Sequence, residues 1–117
     1  PEFMAFMKKS LGDSFRMVLD IKQARRAGED VKRFIDAVGE NIVHVHLSDC
    51  DKERDCIPPS EKGFFDFSEL FSNLDKVGYN GRYIVELYSD SFSTVSEIVS
   101  STEYLQDILN SVKEGRL

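Results

Sequence analysis

At 117 residues, 41 % hydrophobic and with a formal net charge of −6, the chain has the composition of a globular domain with one modest core. The negative balance argues against a general nucleic-acid or anionic-membrane surface. No apolar run approaches the roughly 20 residues needed to cross a bilayer, and no signal-peptide pattern is present. Cys50 and Cys56 share one loop without a CxxC spacing or a second pair. They read as reduced thiols of a cytoplasmic protein rather than as a disulfide or a zinc site. Pro1-Glu2-Phe3 reads as a cloning remnant with Met4 as a candidate start, so residues 4–117 carry the fold reasoning.

Met4 to Leu11 is predicted as a short helix stopped by Gly12. Phe15 to Ile21 follows as a strand that ends in an acid. The basic run Lys22 to Gly28 is expected to make one irregular helical turn whose Lys22, Arg25 and Arg26 form a solvated face. Asp30 fits an N-cap for a helix with Val31, Phe34, Ile35 and Val38 as its buried stripe, and Gly39 is the expected stop. The stretch from Ile42 to Asp51 alternates. Val43, Val45 and Leu47 point one way, while His44 and His46, the only histidines, point the other. A long polar loop runs from Cys50 to about Gly63 and includes Pro58-Pro59; loops of that length tend to be functional or mobile.

Asp66 and Glu69 suggest a capping box for a helix carrying Phe67, Leu70, Phe71, Leu74 and Val77, closed by Gly78. Arg82 to Tyr88 forms the third strand. The last helix spans about Thr94 to Lys113, with Val95, Ile98, Val99, Leu105, Ile108, Leu109 and Val112 as its stripe. Strands alternating with amphipathic helices imply right-handed crossovers and an α/β fold with a parallel sheet. One face of that sheet collects Arg16, Val18 and Asp20, then His44 and His46, then Ile84, Glu86 and Tyr88. This is too polar for a second helix layer, which argues against a flavodoxin-like domain and suits a barrel interior. In such barrels sites form at the C-terminal strand ends, and Asp20, His46 and Glu86 all fall at or near those ends.

Several short motifs then recur in a recognisable order: Val18-Leu-Asp-Ile-Lys-Gln-Ala24, His44-Val-His-Leu-Ser-Asp49, Lys62-Gly-Phe-Phe-Asp-Phe67, Gly78-Tyr-Asn-Gly81 and Ile84-Val-Glu-Leu87. Together they resemble the C-terminal portion of the xylose-isomerase-like TIM-barrel superfamily, the sugar phosphate isomerases and epimerases. The resemblance implies a partial TIM barrel of about three βα units, strands six to eight, after a short helix. A whole barrel takes about 250 residues. It also implies a divalent ion (Mn²⁺, Mg²⁺, Co²⁺ or Zn²⁺) held by Asp20, His46 and Glu86 together with an earlier glutamate that has no counterpart here. Glu86 would then serve as ligand and as acid/base in proton transfer through an enediolate on a small sugar or sugar phosphate. Gln23 stands where many relatives have a histidine, and Lys62 replaces the glutamate of a Gly-Glu-Gly loop. The multi-zinc chemistry of the endonuclease branch is not supported, because the extra histidines are missing.

Each of these residues also has a plainer reading. Asp20 can be a polar strand end, and Glu86 an ion-pair partner, since an unpaired acid in an apolar strand is costly to bury. His44, a layer deeper, suits a hydrogen-bonded interior histidine, and Asp49 a loop-ordering carboxylate. Gln23, Lys52, Arg54 and Lys62 are candidate substrate contacts, the three basic residues being otherwise solvated charges. Two functional readings follow for the chain: a metal-dependent isomerase or epimerase present as a piece lacking the N-terminal half, or a non-catalytic half-barrel with residual metal binding. Either way, three strands with open edges and a polar inner face are expected to self-associate.

Overall fold

The expected strands form and lie side by side. In the computed structural model, which describes residues 1–115, β1 (Met17–Asp20), β2 (Ile42–Leu47) and β3 (Arg82–Val85) make one parallel sheet in the order β1-β2-β3. Helix α1 (Glu2–Leu11) precedes the sheet; α2 (Ile21–Arg26) and α3 (Val31–Val38) link β1 to β2. Helix α4 (Phe67–Lys76) links β2 to β3, and α5 (Val95–Lys113) follows. The fold is α/β, with the parallel strand-helix succession of part of a TIM barrel.

The core lies on one side of the sheet. Leu19, Val45 and Leu47 are buried there against Ile21, Ile35, Phe67, Leu70, Phe71, Leu74 and Leu105 from the helices. At about 25 cal/mol per Å² of apolar surface removed from water, this layer is the main source of stability. Among the described residues the opposite face has no such cover: Val18 is 50 % and Ile84 47 % exposed. Helix caps follow the acids. Asp30 accepts from Lys32 N and Asp66 from Glu69 N, each at 3.0 Å.

Several boundaries differ from the expectation. β1 is shorter than Phe15 to Ile21 because Asp20 is itself an N-cap, its Oδ1 accepting from Lys22 N at 3.0 Å and Gln23 N at 3.1 Å. A regular helix therefore starts at Ile21, in place of an irregular turn after Lys22. β3 ends at Val85, ahead of Tyr88. Val43 does not share a face with Val45 and Leu47. The β1–β2 register slips between Met17 and Val18, so that β2 carries one extra residue; Ile42 turns inward and Val43 is 46 % exposed.

Gly39 ends α3 as expected, but in right-handed conformation. The constraint there is space, since an added Cβ would sit 3.0–3.2 Å from the Val77 side chain. In α5 the expected stripe holds only from Ser101 onward; Val95 and Val99 are exposed. Glu2 and Phe3 are helical within α1, where Glu2 pairs with Arg33.

Candidate metal centre

Strand register brings the three expected ligands together. Asp20 pairs directly with His46, and His46 with Ile84. Residues two apart on a strand share a face, so Glu86 falls on the face of Ile84. Its N–H still donates to Leu47 O at 2.9 Å just past the strand end, which keeps its backbone in line with β2. Ligand atoms of Asp20, His46 and Glu86 lie within 4.8 Å of one another. His46 Nδ1 is 2.8 Å from Glu86 Oε2 and 3.8 Å from Asp20 Oδ2. Asp20 and His46 are mostly buried, and Glu86 is half-exposed towards the open mouth.

Each carboxylate has one oxygen committed and one available. Asp20 Oδ1 is taken by the two backbone N–H groups of α2, which fixes the rotamer and turns Oδ2 toward His46. Glu86 Oε1 lies 3.8 Å from Lys22 Nζ, and Oε2 faces His46. His44 sits a layer deeper, its ring edge-on to His46 with centroids 4.9 Å apart. Two carboxylate oxygens and one imidazole nitrogen at this spacing form a hard oxygen- and nitrogen-donor set of the kind that divalent Mg²⁺, Mn²⁺, Co²⁺ or Zn²⁺ accepts.

Lys22 corrects the expectation of a solvated basic run. Its side chain is 2 % exposed, with the ammonium beside Glu86 and 4.2 Å from the Tyr88 ring centroid. Burial works against that charge, but the Tyr88 phenol and the Asp20 carboxylate outweigh it and hold the ammonium above its ordinary pKa. In turn, hydrogen bonds from Lys22 and then Arg26 hold the Tyr88 phenol below its ordinary value. Arg26 also pairs with Asp55 and donates to Tyr88 Oη at 3.1 Å, while Arg25 donates to the Asp55 carbonyl. The basic run thus ties α2 to the β2–α4 loop. One clue was present in the sequence: with Asp20 as N-cap, α2 starts at the strand end, so its first turn lies at the mouth.

The expected substrate contacts are more dispersed. Gln23 is exposed in the first turn of α2, and Lys52 is exposed in the β2–α4 loop. Arg54 is turned onto Asp51 Oδ2, at 2.9 Å and 3.3 Å from its guanidinium. Arg54 and Lys62 line a groove of about 780 Å³ between this loop and the start of α5, and the three clustered ligands are not among its lining residues. Asp49 is the loop-ordering carboxylate it was expected to be. It is fully buried and accepts from Cys50 N at 2.8 Å, Phe65 N at 3.0 Å and Ser60 N at 3.3 Å. That arrangement explains Gly63, because a Cβ there would fall 1.9 Å from Asp49 Oδ2.

Comparison with known proteins bears on the fold and the family. The chain is 27 % identical over 117 residues to an uncharacterized protein of Methanocaldococcus jannaschii, covering 93 % of this chain and 42 % of that protein. It is 26 % identical over 93 residues to the L-ribulose-5-phosphate 3-epimerase UlaE of Salmonella paratyphi A, covering 79 % of this chain and 33 % of the enzyme. Among solved structures, a xylose isomerase domain-containing protein of Salmonella typhimurium LT2 superposes with a TM-score of 0.71 at 23 % identity, over 92 % of this chain and 44 % of that one. The chain therefore spans less than half the length of each of these relatives. A family model described as xylose isomerase-like TIM barrel matches residues 1–112. With three parallel strands in register and a match over nearly its whole length, the chain belongs to the xylose isomerase-like TIM-barrel family.

Proposed function

We propose that this chain is the C-terminal part of a metal-dependent sugar or sugar phosphate isomerase or epimerase, with Asp20, His46 and Glu86 as ligands of one divalent ion. The convergence of those three side chains at the C-terminal mouth of the sheet is the observation that carries the reading. A bound divalent ion would polarise the carbonyl and hydroxyl oxygens of a sugar. The chain's own residues supply the rest. Asp20 is preset by its two backbone hydrogen bonds. His46 presents Nδ1 between the two carboxylates.

Glu86 is the acid/base: its half-exposed carboxylate is the one of the three that reaches the open mouth, where it can take a proton from the carbon next to the carbonyl and return it. The Lys22 ammonium beside Oε1 holds that carboxylate in place. Gln23, in the first turn of α2, and Lys52, Arg54 and Lys62, on the β2–α4 loop, would contact sugar hydroxyls or a phosphate. The likeness to an L-ribulose-5-phosphate 3-epimerase favours a ketose phosphate over a nucleic acid or a membrane as partner.

The uncovered face with Val18 and Ile84 supports a second point: alone, this chain pairs its open edges or faces with another copy and is at most weakly catalytic. The test of the enzymatic reading is proton exchange. The complete barrel that carries this segment, incubated with ketoses and ketose phosphates in deuterated water, should incorporate deuterium at the carbon beside the carbonyl, observed by NMR. Glu86→Gln should abolish the incorporation. Exchange that persists in Glu86→Gln would refute its role as acid/base.

A further inference from the structure

The buried ammonium of Lys22 is shared between two side chains. Its Nζ lies 3.8 Å from Glu86 Oε1, a charge contact too long to be a hydrogen bond. The same atom lies 4.2 Å from the centroid of the Tyr88 ring, within reach of a cation–π interaction. The stem starts at the strand end, where Lys22 N donates to Asp20 Oδ1 at 3.0 Å. With the side chain 2 % exposed, these neighbours stand in for water.

Of the two partners, Tyr88 is the fixed one. Its N–H donates to Ser91 Oγ at 3.2 Å, and its carbonyl accepts from Ser91 N at 2.9 Å. Its phenol oxygen accepts from Arg26 Nη1 at 3.1 Å, and Arg26 is itself held by Asp55. The ring is therefore anchored at its backbone and at its tip. Glu86 has a second duty, since its Oε2 faces His46 Nδ1 at 2.8 Å inside the ligand cluster. With a divalent ion on that cluster, the carboxylate would face two cations, which repel each other. The ammonium then needs another seat, because a dry charge without a partner is costly. The face of the Tyr88 ring is that seat.

We propose that Tyr88 is a positioning residue for the metal centre, acting through Lys22: its ring receives the ammonium when a divalent ion takes Glu86. The inference rests on the reading of Asp20, His46 and Glu86 as ligands. Without an ion, Lys22 offsets part of the Glu86 charge. With one, the ammonium leans on Tyr88 and leaves the carboxylate to the ion. Tyr88 therefore matters to ion affinity only while the side chain at position 22 is charged.

The test is a double-mutant cycle read by calorimetric titration of Mn²⁺ into the 117-residue chain. It compares the parent, Tyr88→Leu, Lys22→Met and the double variant, each confirmed as folded by circular dichroism. Tyr88→Leu should weaken binding at least about fivefold, and Tyr88→Phe, which keeps the ring face, should fall between it and the parent. In the Lys22→Met background, Tyr88→Leu should change the affinity by less than about twofold. Before Mn²⁺ is added, the Lys22 Cε protons of the parent should resonate upfield, shifted by the Tyr88 ring current, and Tyr88→Leu should remove that shift. Unchanged affinity in Tyr88→Leu, or an equal loss in both backgrounds, would overturn the proposal and leave the metal reading standing. A parent without the upfield shift would overturn it as well. No Mn²⁺ binding by the folded parent would overturn this inference and the metal reading together.

Discussion

The two faces of the same three strands obey opposite rules. On the helix side, Leu19, Val45 and Leu47 are at most 1 % exposed and mesh with α3, α4 and α5. On the other side, one residue along each strand, Val18 and Ile84 are about half exposed, and polar groups gather at the C-terminal end as Asp20, His46 and Glu86. The covered face carries the folding free energy. The open face carries charges that would be costly if dry and useful if shared with a cation. Alternation by single residues lets one short strand do both, so damage to stability and damage to chemistry should separate cleanly by face.

The largest effect that comparison predicts is on the covered face. Phe71→Ala removes a ring that packs against Tyr83 and Phe67 and should cost roughly 3–5 kcal/mol. Val18→Thr on the open face should stay within about 0.5 kcal/mol. Denaturant melts of the two variants decide it, and equal losses would mean that the open face is buried in solution. Next comes Gly63→Ala. The added methyl must displace the Asp49 carboxylate that organises the β2–α4 loop, so a loss of about 1–3 kcal/mol is expected, read by the same melts.

Lys22→Met is predicted to be milder than a buried ion pair would suggest. Methionine keeps the aliphatic packing, and the Glu86 carboxylate left behind is half-exposed and screened. The expected loss is about 1 kcal/mol or less, and a much larger one would mean that Glu86 is dry in solution.

The smallest effect concerns pH. The Asp55 carboxyl is held below its ordinary value, first by the hydrogen bond from Arg26. A depressed acid stabilises the folded loop fully above its unfolded pKa of about 3.9 and loses that contribution as pH falls through the lower folded value. The Asp55 carboxyl carbon followed by NMR should titrate below an unfolded reference, and Arg26→Gln should move its midpoint up.

Much of this arrangement was legible in the chain alone. The strand and helix order, the caps at Asp30 and Asp66, and the convergence of Asp20, His46 and Glu86 rest on alternation and turn chemistry, which are local. What escaped was set by neighbours distant in sequence. The bulge at Val43 depends on how β1 pairs with β2, and no property of Val43 signals it. Lys22 reads as one of several basic surface residues until β3 brings Glu86 and Tyr88 over it. Gly39 resembles an ordinary helix stop, yet its constraint is Val77, almost forty residues on. The front of α5 is amphipathic in pattern, but Val95 and Val99 find no partner surface among the described residues.

The most direct test of the metal centre is calorimetric titration of Mn²⁺ into the 117-residue chain, with Asp20→Asn, His46→Ala and Glu86→Gln run beside it and circular dichroism confirming that each is folded. One saturable site in the parent, weakened at least tenfold in every variant with the fold intact, is the expected result. Equal Mn²⁺ affinity in the parent and in all three variants, or no binding to the folded parent, would contradict it.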